Sequence, residues 1–378
     1  LRPMNKRIFV LVSNDIQHDQ RVAKVCATLS DMDYHVTIVG RLLPESQPFD
    51  SPHEIVRLRL LFRRGFPFYI MLQLRMFFFL LFRRADIILA NDLDTLWPAY
   101  IISWLKGSIL VYDSHEYFTE AEGLTGRKFP KRVWEKLEAS MFPKLKHVYT
   151  VNDSIAAIYR EKYGVSVRVV RNVPPRIETP MSLSREELGL PLNPPIIMLQ
   201  GAYIDPDRGG MEAVQAMQWV KDAILVIVGD GRDIARMKQE AQRPELLNRI
   251  VFYPKQPIER LRAFTRHASI GLSLDKPTHL NYKFSLPNKL FDYMHAGVPV
   301  LISDLPETGR IVRDYGIGEI ISSHEPAVIA AQLNDMLASD QLKQMQHACE
   351  QASFLFNWHQ ESKVVMDIFT NAQNAIAK

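Results

Sequence analysis

The sequence predicts two doubly wound α/β domains in tandem. Three observations carry this reading. Short apolar runs rich in β-branched residues alternate with helical stretches through the first half. The alternation restarts after a proline-rich break. The length, 378 residues, lets each half bury a core of its own.

In order, residues 7–12 (RIFVLV) form the first strand, of the continuously apolar kind that parallel sheets bury on both faces. A polar loop over 13–19 leads to a helix with Val22, Val25, Cys26 and Leu29 on its apolar face. Strands follow at 36–40, 86–90, 110–113 and 148–151, each after a helical stretch. Pro174, Pro175, Pro180, Pro191, Pro194 and Pro195 mark 174–195 as a linker. Beyond it lie strands at 196–200 (IIMLQ), 223–228, 250–253, 269–274 and 300–302. A last helix from Trp358 is expected to return to the first domain. The expected domains are therefore 1–173, joined by 358–378, and 196–357. Ligands of such sheets sit beyond the strand C-termini, which places the expected site in a cleft between the halves.

Composition narrows the class. With 47% hydrophobic and 23% charged residues the chain is ordinary globular protein, and a net charge of +4 with pI near 8.9 is mild. A duplex binder would carry a concentrated basic stripe, so no nucleic-acid partner is expected. Cys26 and Cys349 are too few for a disulfide framework or a zinc site and read as buried thiols in a reducing compartment. No metal is expected. Residues 1–3 before Met4 read as a remnant ahead of a native start, with no signal peptide, which implies cytoplasmic residence.

Three motifs carry chemistry. PNKLFDYMHAGVPVLIS, 287–303, reads as a helix opening at Pro287 and Asn288 and closing at Gly297, followed by a strand. Its start suits phosphate, and Lys289 and Asp292, one helical turn apart, set a cation for phosphate beside a carboxylate for a sugar hydroxyl. Structure alone would also explain it as a capped surface helix with an exposed Lys–Asp pair. After the strand IIMLQ, Gly201 opens a loop ending Arg208-Gly209-Gly210 before a helix. The glycines allow close backbone approach, and Arg208 offers a bidentate grip on phosphate. An ordinary strand–turn–helix connection fits equally. VGDG, with Gly229, ends the next strand either as a pocket wall or as a plain turn.

The order of these motifs resembles the donor half of the family 4 retaining glycosyltransferases, which have the GT-B fold of two Rossmann-like domains. The first half resembles that family as well, through DQRVAKVCATLSDMDYHVTIV (19–39), NDLDTL (91–96), YDSHEYF (112–118) and VNDSIAAIYREKYGVSVRVVRNVP (151–174). The resemblance implies transfer of a sugar, of hexosyl type, from a nucleotide-diphosphate donor to a glycan or lipid-linked acceptor in cell-surface polysaccharide or glycoconjugate synthesis. UDP or GDP is the expected donor nucleotide, and no cofactor or metal is implied. It places Arg208 and Lys289 on the diphosphate, with Gly201, Gly209, Gly229 and Asn288 around the donor. A second basic residue common after the strand glycine is Ala202 here. Of the two glutamates that mark the sugar site in that family, one falls on Asp292 and the other on Phe284, so sugar recognition passes to Asn281, Tyr282 or backbone amides. His115 is placed near the reacting sugar. Asp15, Asp19, Asp92, Asp94 and Glu116 are acceptor candidates, though acidic loop residues also cap helices.

The stretch 58–84 mixes Arg59, Arg63, Arg64, Arg75, Arg83 and Arg84 with many aromatics. Its longest uncharged run is too short to span a bilayer, which takes ~20 apolar residues. A basic aromatic helix lying on an anionic leaflet and a helix packed on the sheet with outward arginines both satisfy it. Two rival functions remain at this stage: a nucleotide-sugar 2-epimerase on the same fold, and a non-catalytic nucleotide- or glycan-binding homologue.

Overall fold

The computed structural model describes residues 6–177 and 181–374. The start-site reading at residues 1–4, Pro180 of the expected linker and the last four residues lie outside them. The chain divides into two compact units, one running to Asn172 and taking up the segment from His359, the other Val173–Trp358.

The N-terminal unit is built on seven parallel strands: β1 Arg7–Leu11, β2 His35–Leu42, β3 Glu54–Arg59, β4 Ile87–Asn91, β5 Ile109–Ser114, β6 His147–Thr150 and β7 Val167–Val169. Their spatial order is β3-β2-β1-β4-β5-β6-β7, so the winding reverses between β1 and β4. The Asn91 side chain donates across that reversal to Leu11 O at 2.9 Å. Continuous burial of β4 explains its unbroken apolar run. β3 and β7 are additions to the sequence reading: β3 carries Arg57 and Arg59 among its apolar residues, and β7 has only three residues.

The other unit has six parallel strands: β8 Ile196–Gly201, β9 Ile224–Gly229, β10 Ile250–Tyr253, β11 Ile270–Ser273, β12 Val300–Ile302 and β13 Gly318–Ile320. They are ordered β10-β9-β8-β11-β12-β13, with the reversal between β8 and β11. Alternate residues feed opposite cores. Ile196, Met198, Val226 and Val300 pack with Leu290, Phe291 and Met294, whereas Ile197, Leu199, Leu225 and Leu301 pack with Val214, Met217 and Leu333.

Two readings need correction. The expected linker 174–195 is in part built into the second unit. Ser184 caps the short helix Arg185–Leu188 with a full capping box, Leu188 and Leu190 enter the core, and Arg185 donates to Pro194 O and His267 O. Within 58–84 only Gly65–Leu81 is helical, because Leu58 and Arg59 complete β3. The last helix, Trp358–Asn374, buries Val365, Phe369 and Ala372 in the N-terminal unit. It is tied there by Glu361, which accepts from Arg171 N at 2.9 Å, and by the Arg168–Asp367 ion pair at 2.7 Å.

Candidate functional site

In the unit Val173–Trp358 the predicted residues gather at the β8–β11 reversal. Pro287 starts the helix Asn288–His295 with no side chain capping it, so the positive dipole end of the helix carries no side-chain acceptor. Tyr293 fixes the helix to the sheet. Its hydroxyl donates to Met198 O at 2.9 Å and accepts from Gln200 N at 3.2 Å. Its ring lies 2.5 Å from where a Cβ on Gly271 would stand, so β11 needs glycine there. This anchoring puts Lys289 and Asp292 in different company. Asp292 accepts from Gln200 Nε2 at 3.4 Å, and Lys289 Nζ lies 3.1 Å from Asp275 Oδ2.

Asp275 is the residue the sequence reading missed. It follows β11, is buried, and also takes Arg208 Nη1 at 2.7 Å on its other oxygen, with Ser273 Oγ donating at 3.0 Å. Arg208 and Lys289 are therefore held on one carboxylate. Burial alone would raise the Asp275 carboxyl, but Lys289 and Arg208 outweigh it and hold it below its ordinary value. Burial lowers the Lys289 ammonium, with Asp275 opposing and Arg208 adding to the drop. The Arg208 guanidinium also lies over the Tyr282 ring at 4.2 Å, and His279 stacks on that ring at 4.0 Å. Asn281 and Phe284 are half-buried on the same short segment, and Asn288 is exposed.

The glycines are required by the protein's own backbone. A Cβ on Gly229, at φ +151, would stand 1.9 Å from Gly201 O, and one on Gly209, at φ +71, would stand 2.4 Å from Leu274 O. The plain-turn reading accounts for both without a ligand.

In the N-terminal unit His115 stands just past β5, inside a buried charge network. Arg21 grips Asp113 in bidentate fashion (Nε–Oδ2 2.9 Å, Nη2–Oδ1 2.7 Å) and donates to Val170 O at 2.8 Å. His115 Nε2 lies 3.2 Å from Asp113 Oδ2 and 3.1 Å from Asn91 Oδ1, while Nδ1 lies 3.6 Å from Asp92 Oδ2. The cost of burying the imidazolium is outweighed by Asp92 and Asp113, which push His115 up to about 9. Burial, tempered by His115, pushes Asp92 up to about 8. For Asp113 the cations win over burial and hold it down at about 2. Asp92 is also backbone-strained, with φ +61 in a non-glycine residue.

The other acidic candidates separate. Asp15 caps the turn at Gln17 N and pairs with Arg57 at 3.1 Å. Asp19 caps the helix Gln20–Asp31 at Val22 N. Both serve local structure in the way helix caps do. Asp94 and Glu116 line a cavity of about 660 Å³. Among the described residues no group of three or more His, Cys, Asp or Glu is placed to hold a metal ion, and no helix is long and apolar enough to cross a membrane.

Comparison with known proteins agrees with this architecture. The model for glycosyl transferases group 1 matches residues 182–354, and that for glycosyltransferase family 4 matches 20–176. A D-inositol 3-phosphate glycosyltransferase of Xylanimonas cellulosilytica is 25% identical over 60% of this chain and 58% of its own, and one of Acidothermus cellulolyticus is 23% identical over 56% and 50%. The chain thus matches little more than half the length of these curated relatives. Among solved structures, sucrose-phosphate synthase of Thermosynechococcus elongatus superposes with TM-score 0.80 at 16% identity, covering 98% of this chain and 100% of that one. Anabaena HepE, solved with UDP and glucose, does so with TM-score 0.71 at 14% identity, covering 97% and 100%. The fold is GT-B.

Proposed function

This chain belongs to the group 1 glycosyltransferases, with a family 4 N-terminal half, and from that premise we propose that it transfers a sugar from a nucleotide diphosphate with retained anomeric configuration. The observation that carries the proposal is the convergence of Arg208 and Lys289 on Asp275 beside the uncapped start of Asn288–His295. Departure of a nucleoside diphosphate builds negative charge on its terminal phosphate. Two preset cations and a helix dipole stabilise that charge without reorganising, and they take the part a divalent ion plays elsewhere. In the front-face course that the family resemblance implies, the acceptor hydroxyl attacks from the side the diphosphate leaves and gives its proton to the departing phosphate. Asp292, steadied by Gln200, takes sugar hydroxyls, and His115, held cationic by Asp113, is a hydrogen-bond donor within the N-terminal unit. UDP is the favoured donor nucleotide, since HepE holds UDP on the same fold.

The acceptor side points to a membrane surface. The helix Gly65–Leu81 buries Phe68, Leu72, Met76 and Phe79 on one face, yet Phe66, Ile70, Leu74 and Phe78 lie exposed on the other at spacings of one helical turn. A helix apolar on both faces needs a second apolar partner, and the flanking arginines select an anionic leaflet.

A thermal-shift panel of UDP, GDP, ADP and CMP tests the donor assignment, because a ligand that binds the folded chain raises Tm. UDP should give the largest shift, and Arg208→Ala and Lys289→Ala should each weaken it at least tenfold in apparent affinity. No shift with any nucleotide, or unchanged affinity in both variants, would overturn the proposal.

A further inference from the structure

We propose that the cavity beneath the aromatic helix of the N-terminal unit binds a long-chain alkyl phosphate, so that the acceptor is a lipid joined to its hydroxyl-bearing group through phosphate. This deepens the transferase reading and rests on it. The cavity, about 660 Å³, lies between the helices Gly65–Leu81 and Lys128–Met141 and is wholly within one unit. Three features fix the chemistry of its occupant.

Its walls are apolar. Tyr69, Ile70, Leu74, Val133 and Trp134 line it, and Ile70 and Leu74 also belong to the exposed stripe, so the cavity opens onto that face. A soluble sugar would leave this wall wet, whereas an alkyl chain covers it and runs on toward the leaflet.

Its rim is cationic. Arg41, Arg63, Arg64 and Arg127 line it against two acids, Asp94 and Glu116. Among the described residues none of these four guanidiniums forms an ion pair, although Asp94 and Glu116 line the same cavity. A smaller cavity beside it shares Arg41 and Arg63 and adds Arg59 and Arg75. Unpaired guanidiniums gathered on one cavity match a phosphate, whose oxygens fit their fork geometry.

Its lining includes unsatisfied polar atoms. Asp94 is only 5% exposed, and its Oδ1, Arg41 Nε and Gln73 Oε1 are buried with no hydrogen-bond partner. Buried polar atoms are ordinarily paired, so three orphans lining one cavity ask for a ligand that both donates and accepts. Two hydroxyls, with one proton each, donate to the carboxylate and to the amide oxygen, and a phosphate oxygen accepts from the arginine. An alkane alone meets none of them.

The probe is dodecyl phosphate below its micelle-forming concentration, with dodecanol and inorganic phosphate as the two halves of the ligand. Fluorescence of Trp97 and Trp134, both in the lining, reports occupancy of the full chain. Dodecyl phosphate should bind at least tenfold more tightly than either half. Val133→Trp, which fills the cavity, and the Arg64→Ala/Arg127→Ala pair should each weaken it at least tenfold. The UDP shift in the same variants serves as the control for folding. Equal binding of dodecanol and dodecyl phosphate, or wild-type affinity in Val133→Trp, would overturn the proposal. So would absence of dodecyl phosphate binding with the UDP shift intact, a result that leaves the transferase reading standing. Absence of the UDP shift alone counts against that reading instead.

Discussion

Replacing Asp275 by alanine would leave Arg208 and Lys289 facing each other in a buried corner with no anion between them. Removing one partner of a buried ion pair costs about 3–5 kcal/mol, because the charges left behind are neither solvated nor matched. Asp275→Ala should therefore lower Tm markedly, and pyrophosphate, which restores the missing charge, should recover part of the loss. A variant as stable as the parent, or one indifferent to pyrophosphate, would break the assignment of this corner as a phosphate site. Asp275 was not legible in the sequence: a lone carboxylate after an apolar strand is as often a cap. Only the adjacency of β8 and β11 brings it between residues 208 and 289. Arg208 was legible because it ends a glycine loop between a strand and a helix, and Lys289 because Pro287 and Gly297 bracket its helix ahead of a strand. The N-terminal network yields a pH prediction. Folded Asp92 keeps its proton to about 8 against an ordinary 3.8, and folded His115 to about 9 against 6.5. The folded chain thus binds more protons than the unfolded chain, so stability falls as pH rises. The His115 contribution is complete below 6.5 and gone above about 9; the Asp92 cost accrues up to about 8. Tm followed from pH 6.5 to 9 should fall, and Asp92→Asn should flatten the fall; an unchanged slope would refute the coupling.

At the scale of elements, the helix Gly65–Leu81 shows why a segment can be noticed in a sequence while its packing stays open. Its arginines and aromatics stand out, but apolar residues at nearly every position, broken only by Gln73 and Arg75, hide which face is buried, and the choice between sheet packing and membrane packing stays open. The structure shows the sheet-facing side filled and a second apolar stripe exposed beyond it, ending at Phe82, which is 79% exposed. Charges placed on that stripe should leave the fold intact, since surface substitutions away from special features cost little. Phe78→Asp with Phe82→Asp should therefore preserve Tm while abolishing flotation with anionic liposomes at low salt. Flotation unaffected by the pair would remove the membrane from the proposal. The strands obeyed the opposite logic. Those buried on both faces were read directly from their unbroken apolar runs, whereas β3, with arginines in its pattern, and the three-residue strands β7 and β13 carry too weak a period to register.

At the scale of the molecule, the chain crosses from one unit to the other twice, after Asn172 and after Trp358. The second crossing gives the N-terminal unit a last helix that is remote in sequence, and Phe369 is the buried side chain that packs it, edge-on to Tyr34 at 6.2 Å between ring centroids. Truncating such a residue to alanine costs about 3–5 kcal/mol through lost transfer energy and the cavity left behind. Each unit has its own sheet and core, so unfolding need not be two-state, and a single Tm would mix two events. Calorimetry can separate them by linkage, since UDP stabilises only the part that binds it. The donor residues Arg208, Asp275, Lys289 and Asp292 all lie in Val173–Trp358, so UDP should raise the transition of that unit. Phe369→Ala should lower the other transition and leave the UDP-responsive one in place. If Phe369→Ala moved both transitions equally, the helix would be a cooperative strut of the whole chain rather than a part of the N-terminal unit. The two-unit account of stability would then fall with it.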